Sequence, residues 1–76
     1  YGINIYPNPV SDELIIEAKG NKKKIEFEII NSIGQVVFKG NFVEKIIIQT
    51  KNFAQGMYMI NLGNGERFEF RKVVKE

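Results

Sequence analysis

Apolar and polar residues alternate with a period of two along most of this chain, and the 3.6-residue periodicity of a helix is absent. Ile3 and Ile5 mark a short first strand. It is stopped by Pro7-Asn8-Pro9, because proline fixes φ and carries no amide donor. Leu14, Ile16 and Ala18 alternate with Glu13, Ile15 and Glu17 as a second strand, and Gly20-Asn21 turns the chain. Ile25, Phe27 and Ile29 alternate with Lys24, Glu26 and Glu28, the clearest inside–outside pattern in the sequence. After a turn at Asn31-Ser32-Ile33-Gly34, Val36 and Phe38 form the inward side of a fourth strand, with Gln35 and Lys39 outward, and Gly40-Asn41 breaks it. Ile46 and Ile48, opposed by Lys45 and Gln49, continue a fifth; Tyr58, Ile60 and Leu62 define a sixth, and Phe68 and Phe70 a seventh.

Seven short strands with evenly spaced turns predict an all-β domain, a small antiparallel immunoglobulin-like β-sandwich. Ile5, Leu14, Ile16, Ile25, Phe27, Ile29, Val36, Phe38, Ile46, Ile48, Tyr58, Ile60, Leu62, Phe68 and Phe70 form its expected interior. Phe53 plugs one end, and the Tyr58 hydroxyl reaches a polar partner at the rim. Ile15, Val37, Ile47, Met57, Met59 and Val73 fall on the outward parity. Gathered on one sheet they form a patch for docking or self-association; scattered, they are covered by loops and twist.

Directly paired residues share a face, so each hairpin can be tested by parity. A four-residue loop over residues 31–34 pairs Ile29 with Val36 and Phe27 with Phe38. In the last hairpin, a two-residue Asn64-Gly65 turn sets Ile60 opposite Glu69. A three-residue loop, Gly63-Asn64-Gly65, instead pairs Ile60 with Phe68 and Tyr58 with Phe70 and gives Gly65 the left-handed position. That register is the expected one. It turns Lys72 inward, opposite Gly56, where the ammonium must snorkel to the rim or follow a bulge. It also leaves residues 73–76 overhanging the partner strand.

With 76 residues the chain is one domain at most, of a few kcal/mol stability and without a staple. It has no cysteine and no histidine. Thiol and imidazole chemistry, disulfides and the common zinc sites are thereby excluded. The net charge is +2. Lys22, Lys23 and Lys24 read as a solvated loop, and nucleic-acid binding would need a broader basic stripe. No apolar run approaches the ~20 residues of a membrane-spanning helix. There is no secretory signal peptide, and the chain opens on Tyr1 without a methionine, as a fragment of a longer polypeptide does. The basic last strand and the opening Ile5-Tyr6-Pro7-Asn8-Pro9 point to a detachable terminal module read by other machinery.

The order Tyr6-Pro7-Asn8-Pro9 with Asp12, then Gly34-Gln35-Val36-Val37, then Gly56-Met57-Tyr58-Met59-Ile60, then Phe70-Arg71-Lys72-Val73-Val74-Lys75 resembles the type A C-terminal sorting domain of type IX secretion cargo proteins, found in Bacteroidota. The likeness covers nearly the whole chain, and its specificity lies in the order and spacing of individually weak pieces. It implies a signal at the end of a longer passenger protein. The domain crosses the periplasm with that passenger, is handled by an outer-membrane shuttle protein and the translocon, and is removed at the surface by a sortase-like cysteine peptidase. The passenger then remains at the outer membrane or becomes extracellular. Tyr6, Pro7, Asn8, Pro9, Asp12, Gly34, Gly56 and Tyr58 carry the family motif. Lys72, Val73, Val74, Lys75 and Glu76 match the stretch associated with translocon recognition, although Glu76 stands where a basic ending is common and Phe53 where leucine is frequent.

Two other classes compete. A generic immunoglobulin-like binding module for carbohydrate or protein would show a row of exposed aromatics or a calcium site. Tyr1 and Tyr6 are too few for the first, and Asp12 is the sole aspartate. For an enzyme, only the carboxylate pairs Glu26/Glu28 and Glu13/Glu17 are available, and both read as solvated strand faces. No catalytic residue, metal ligand or cofactor is expected.

Overall fold

The computed structural model describes residues 2–76; of the residues weighed above, Tyr1 lies outside that range. Seven strands form: β1 (Asn4–Tyr6), β2 (Glu13–Glu17), β3 (Ile25–Asn31), β4 (Val36–Phe42), β5 (Lys45–Gln49), β6 (Gly56–Gly63) and β7 (Phe68–Lys75). They pair antiparallel into a three-stranded sheet, β1-β2-β5, and a four-stranded sheet, β4-β3-β6-β7. This is the expected sandwich, with β4 beside β3, whereas the constant-type immunoglobulin plan puts the fourth strand in the other sheet. Among the described residues, no helix is long and apolar enough to cross a membrane.

The two inner faces meet in one core. Leu14, Ile16 and Ile48 come from the smaller sheet, and Ile25, Phe27, Ile29, Tyr58, Ile60, Leu62 and Val73 from the larger. Each fully buried aliphatic or aromatic side chain contributes about 1.5–3 kcal/mol relative to exposure. Phe53 packs on the rim of this core with its ring 5.5 Å from that of Tyr58, and the Tyr58 hydroxyl donates to the Ala54 carbonyl at 2.6 Å.

Both hairpins depart from the expected register. At the first, Ser32, Ile33 and Gly34 make a three-residue loop. The Gly34 amide donates to the Asn31 carbonyl, Gly34 holds φ at 87°, and the Asn31 side chain accepts from the Ile33 and Gln35 amides. Val36 therefore pairs with Ile30, not Ile29. A bulge then restores the opposite parity, setting Ile29 against Phe38 and Phe27 against Gly40. Gly40-Asn41 does not break β4: the missing side chain at Gly40 leaves room for the Phe27 ring, and the strand runs on to Phe42, a core residue outside the expected interior. Val36 is exposed on the outer face, and Phe38 is exposed although its parity is inward.

The last hairpin closes on residues 64–67. Asn64 Oδ1 accepts from the Glu66 and Arg67 amides, which fixes a four-residue loop in place of the expected three-residue one. Gly63 now pairs with Phe68, Ile60 with Arg71, Tyr58 with Val73 and Gly56 with Lys75. The parity of β7 is thereby inverted. Phe68 and Phe70 point outward, 70% and 63% exposed, while Val73 and Lys75 point inward and are buried. Lys72 lies opposite Met59 on the outer face, so it has no burial problem to solve. Residues 73–75 do not overhang β6; they pair with it to its first residue.

Candidate functional site

The opening motif and the last strand carry the family-like residues, and the fold brings them together. β7 is an end strand of the larger sheet. Its far edge meets the stretch that leaves β1. The Val10 amide donates to the Val74 carbonyl at 2.8 Å, and the Glu76 amide donates to the Val10 carbonyl at 2.9 Å. Val10 and Lys75 form a parallel bridge there, and Val10 is 2% exposed. One turn of chain earlier, the Asn8 side chain continues the ladder. Its Nδ2 donates to the Lys72 carbonyl at 3.3 Å, and its Oδ1 accepts from the Val74 amide at 3.0 Å. Val10 was not among the expected core residues. The signal for it was an apolar residue immediately after a chain-stopping Pro-Asn-Pro.

The other motif residues are dispersed. Pro7 and Pro9 both follow cis peptide bonds and are exposed. Tyr6 lies on the outer face of the smaller sheet and donates its hydroxyl to Glu17 Oε1 at 3.3 Å. Partial desolvation, and then the Glu17 carboxylate beside it, push this phenol above its ordinary pKa. The Asp12 side chain is exposed, and its carbonyl accepts from the Thr50 amide at 2.8 Å. Gly34 serves its hairpin loop. Gly56 opens β6 at φ 143°, a conformation L side chains rarely adopt, and Tyr58 belongs to the core.

Alternation along β7 divides the expected recognition residues into two sets. Val73 and Lys75 face inward; Lys75 lines the end of the core with Phe53 and Tyr58, and its ammonium reaches out to the Glu76 carbonyl at 3.0 Å. The lysine that snorkels is therefore Lys75, not Lys72. Lys72, Val74 and Glu76 are exposed. Cross-strand pairing extends their face across the sheet: Val74 lies beside Met57, and Lys72 beside Met59, then Ile30, then Val36. Met57 and Met59, outward as expected, thus join Val74 in one apolar patch with Lys72 at its edge. Ile47 and Val37 are exposed elsewhere, Ile15 is half-buried, and Val73 is buried.

Beyond this patch, the same face carries a shallow trough of ≈ 610 Å³ lined by Glu26, Glu28, Lys39, Asn61 and Phe68. The Phe68 ring lies over Gly63, where an added Cβ would meet its Cδ1 at 2.4 Å. Glu69 and Arg71, inward by parity but half-exposed at the uncovered edge, form a short ion pair of little energetic weight. No cluster of three or more metal-ligating side chains exists among the described residues. What the surface can do chemically is bind: it offers adaptable thioether and aliphatic side chains beside a fixed positive charge.

Compared with known families, residues 4–76 match the model described as the secretion system C-terminal sorting domain. No curated protein matches the chain.

Proposed function

This chain belongs to the type IX secretion C-terminal sorting domains, and from that premise we propose that it is read through the outward side chains of its last strand. The family is one of sorting signals and not of enzymes, and its members direct export to the cell surface or the extracellular space. In our reading the 76 residues are the single sorting domain of a longer protein, fused behind a passenger. They pass through the periplasm with it, are handed by an outer-membrane shuttle protein to the translocon, and are cut away by a sortase-like cysteine peptidase at the surface. Val73 and Lys75 anchor the strand, and Lys72, Val74 and Glu76, with Met57 and Met59 alongside, are what the machinery touches. The observation that carries this reading is the alternation itself. One strand contributes buried residues to the core and presents a basic–apolar row to solvent. Exposed methionines beside an aliphatic side chain make the kind of apolar centre that protein interfaces bury, and a cation at its rim sets specificity and association rate.

Deleting residues 72–76 is a poor test, because it also removes Val73 from the core. The double substitution Lys72→Glu with Val74→Ser leaves the core intact. In a host with type IX machinery, we expect a reporter fused to this variant to reach the surface about tenfold less than with the parent domain, the loss of about 1.4 kcal/mol of docking free energy. Its thermal midpoint should stay within a few degrees of the parent. Parent-level export of a folded double variant would overturn the reading.

A further inference from the structure

The far edge of β7 should be open, since β7 ends its sheet, yet from Lys72 onward it is occupied. The occupant is partly a strand and partly a side chain. Val10 supplies ordinary backbone pairing, through its amide to the Val74 carbonyl and its carbonyl to the Glu76 amide. One rung earlier, the Asn8 amide group provides the donor and the acceptor that a neighbouring strand would provide, to the Lys72 carbonyl and the Val74 amide. Few side chains can do this. The group must carry one donor and one acceptor on a short stem, which the asparagine amide does. A carboxylate supplies only the acceptor, and alanine supplies neither.

We propose that Asn8 is a positioning residue for the last strand, so that the opening motif and residues 72–76, separated by more than sixty positions in sequence, act as one composite recognition element. This rests on the reading of β7 as the recognised strand and adds how that strand is held. It also fixes the docking mode. With Asn8 and Val10 filling the edge from Lys72 onward, a partner cannot add a strand there without displacing them. The partner instead meets the outer face, where Lys72 and Val74 project beside Met59 and Met57. The fitting surface is a folded protein face with an apolar centre and a carboxylate placed to meet Lys72, not an extended peptide. Closing this stretch of the edge also denies a second copy of the chain the unpaired backbone there.

The test compares Asn8→Ala and Asn8→Asp with Asn21→Ala in the reporter fusion. Asn21 is the matched control. Its side chain also makes two hydrogen bonds to backbone, Nδ2 donating to the Lys23 and Val43 carbonyls at 2.5 and 2.6 Å, and neither belongs to β7 or the opening motif. Amide exchange at Val74 reads the strand directly, and surface reporter reads the function. With Asn8→Ala, Val74 exchange should rise about tenfold, as expected when the acceptor that holds the Val74 amide is removed, and export should fall several-fold. Asn8→Asp keeps the acceptor for the Val74 amide, so it should fall between alanine and the parent in both measurements. Asn21→Ala should lower the thermal midpoint at least as much while leaving Val74 exchange and export near parental values. Should Asn8→Ala export like the parent, or lose no more than Asn21→Ala does, the positioning role is wrong. If Lys72→Glu with Val74→Ser also exports normally, the reading of β7 itself has failed.

Discussion

Phe27→Ala should strip this domain of most of its stability. Phe27 is 2% exposed and sits at the centre of the aromatic cluster, its ring centroid 5.9 Å from those of both Phe38 and Phe42. It also fills the space that Gly40 vacates opposite it on β4. Truncating a buried phenylalanine removes its transfer free energy and leaves a cavity, together costing about 3–5 kcal/mol. A chain of this size without disulfides or metal holds about 4–11 kcal/mol in total, with small scaffolds at the lower end. The substitution therefore removes most of the margin. Urea denaturation should show the midpoint falling by half or more, with the slope retained if unfolding stays two-state. A drop of less than about 1 kcal/mol would mean that the interior is not packed around this ring.

Neighbouring valines in β7 should give opposite results. Val73 is buried against Val10, Tyr58 and Ile60, and an aspartate there buries a carboxylate whose nearest cations on that face, Arg71 and Lys75, are turned to Glu69 and the Glu76 carbonyl. The expected cost is at least about 3 kcal/mol, enough to detach the last strand or unfold the domain, and export is lost with the structure. Val74 lies one position on, with its side chain on the outer face. Val74→Asp should change stability by less than about 1 kcal/mol, as surface substitutions do. Export still falls, about as far as in the double variant, because the exposed row has been altered. Circular dichroism melts of the two purified variants separate the outcomes; equal destabilisation by both would contradict the alternation.

The same strand shows where the sequence was legible and where it was not. The alternation in β2, β3, β5 and β6 is faithful because both inner faces cover those strands, so hydrophobicity reports burial. β4 and β7 are the two edges of the four-stranded sheet, and a three-stranded sheet cannot cover them. There the inward parity holds a half-exposed Phe38 and the Glu69–Arg71 pair, while Phe68 and Phe70 take the outward side. Apolar residues on both faces make parity ambiguous, and the choice then rests on loop chemistry. Asn64 settled it by capping two amides, and the three-residue loop that Gly65 favoured lost to it. Of the candidate site, the residues were named through the family resemblance. Their inward and outward division was not, because it depends on that loop. The Asn8 bridge left no trace in the pattern, since a side chain pairing with distant backbone has no period.

The chain contains no cysteine, which permits a direct measurement of how the last strand is presented. Single cysteines at positions 72, 73, 74 and 75 can be labelled in the folded domain with a bulky maleimide, and each labelled fusion then followed to the cell surface. Fast labelling at 72 and 74, slow labelling at 73 and 75, and a block of export by the adduct at 74 are the predicted results. Uniform labelling along the four positions, or normal export of a domain carrying the adduct at 74, would contradict a strand that is anchored on one side and read on the other.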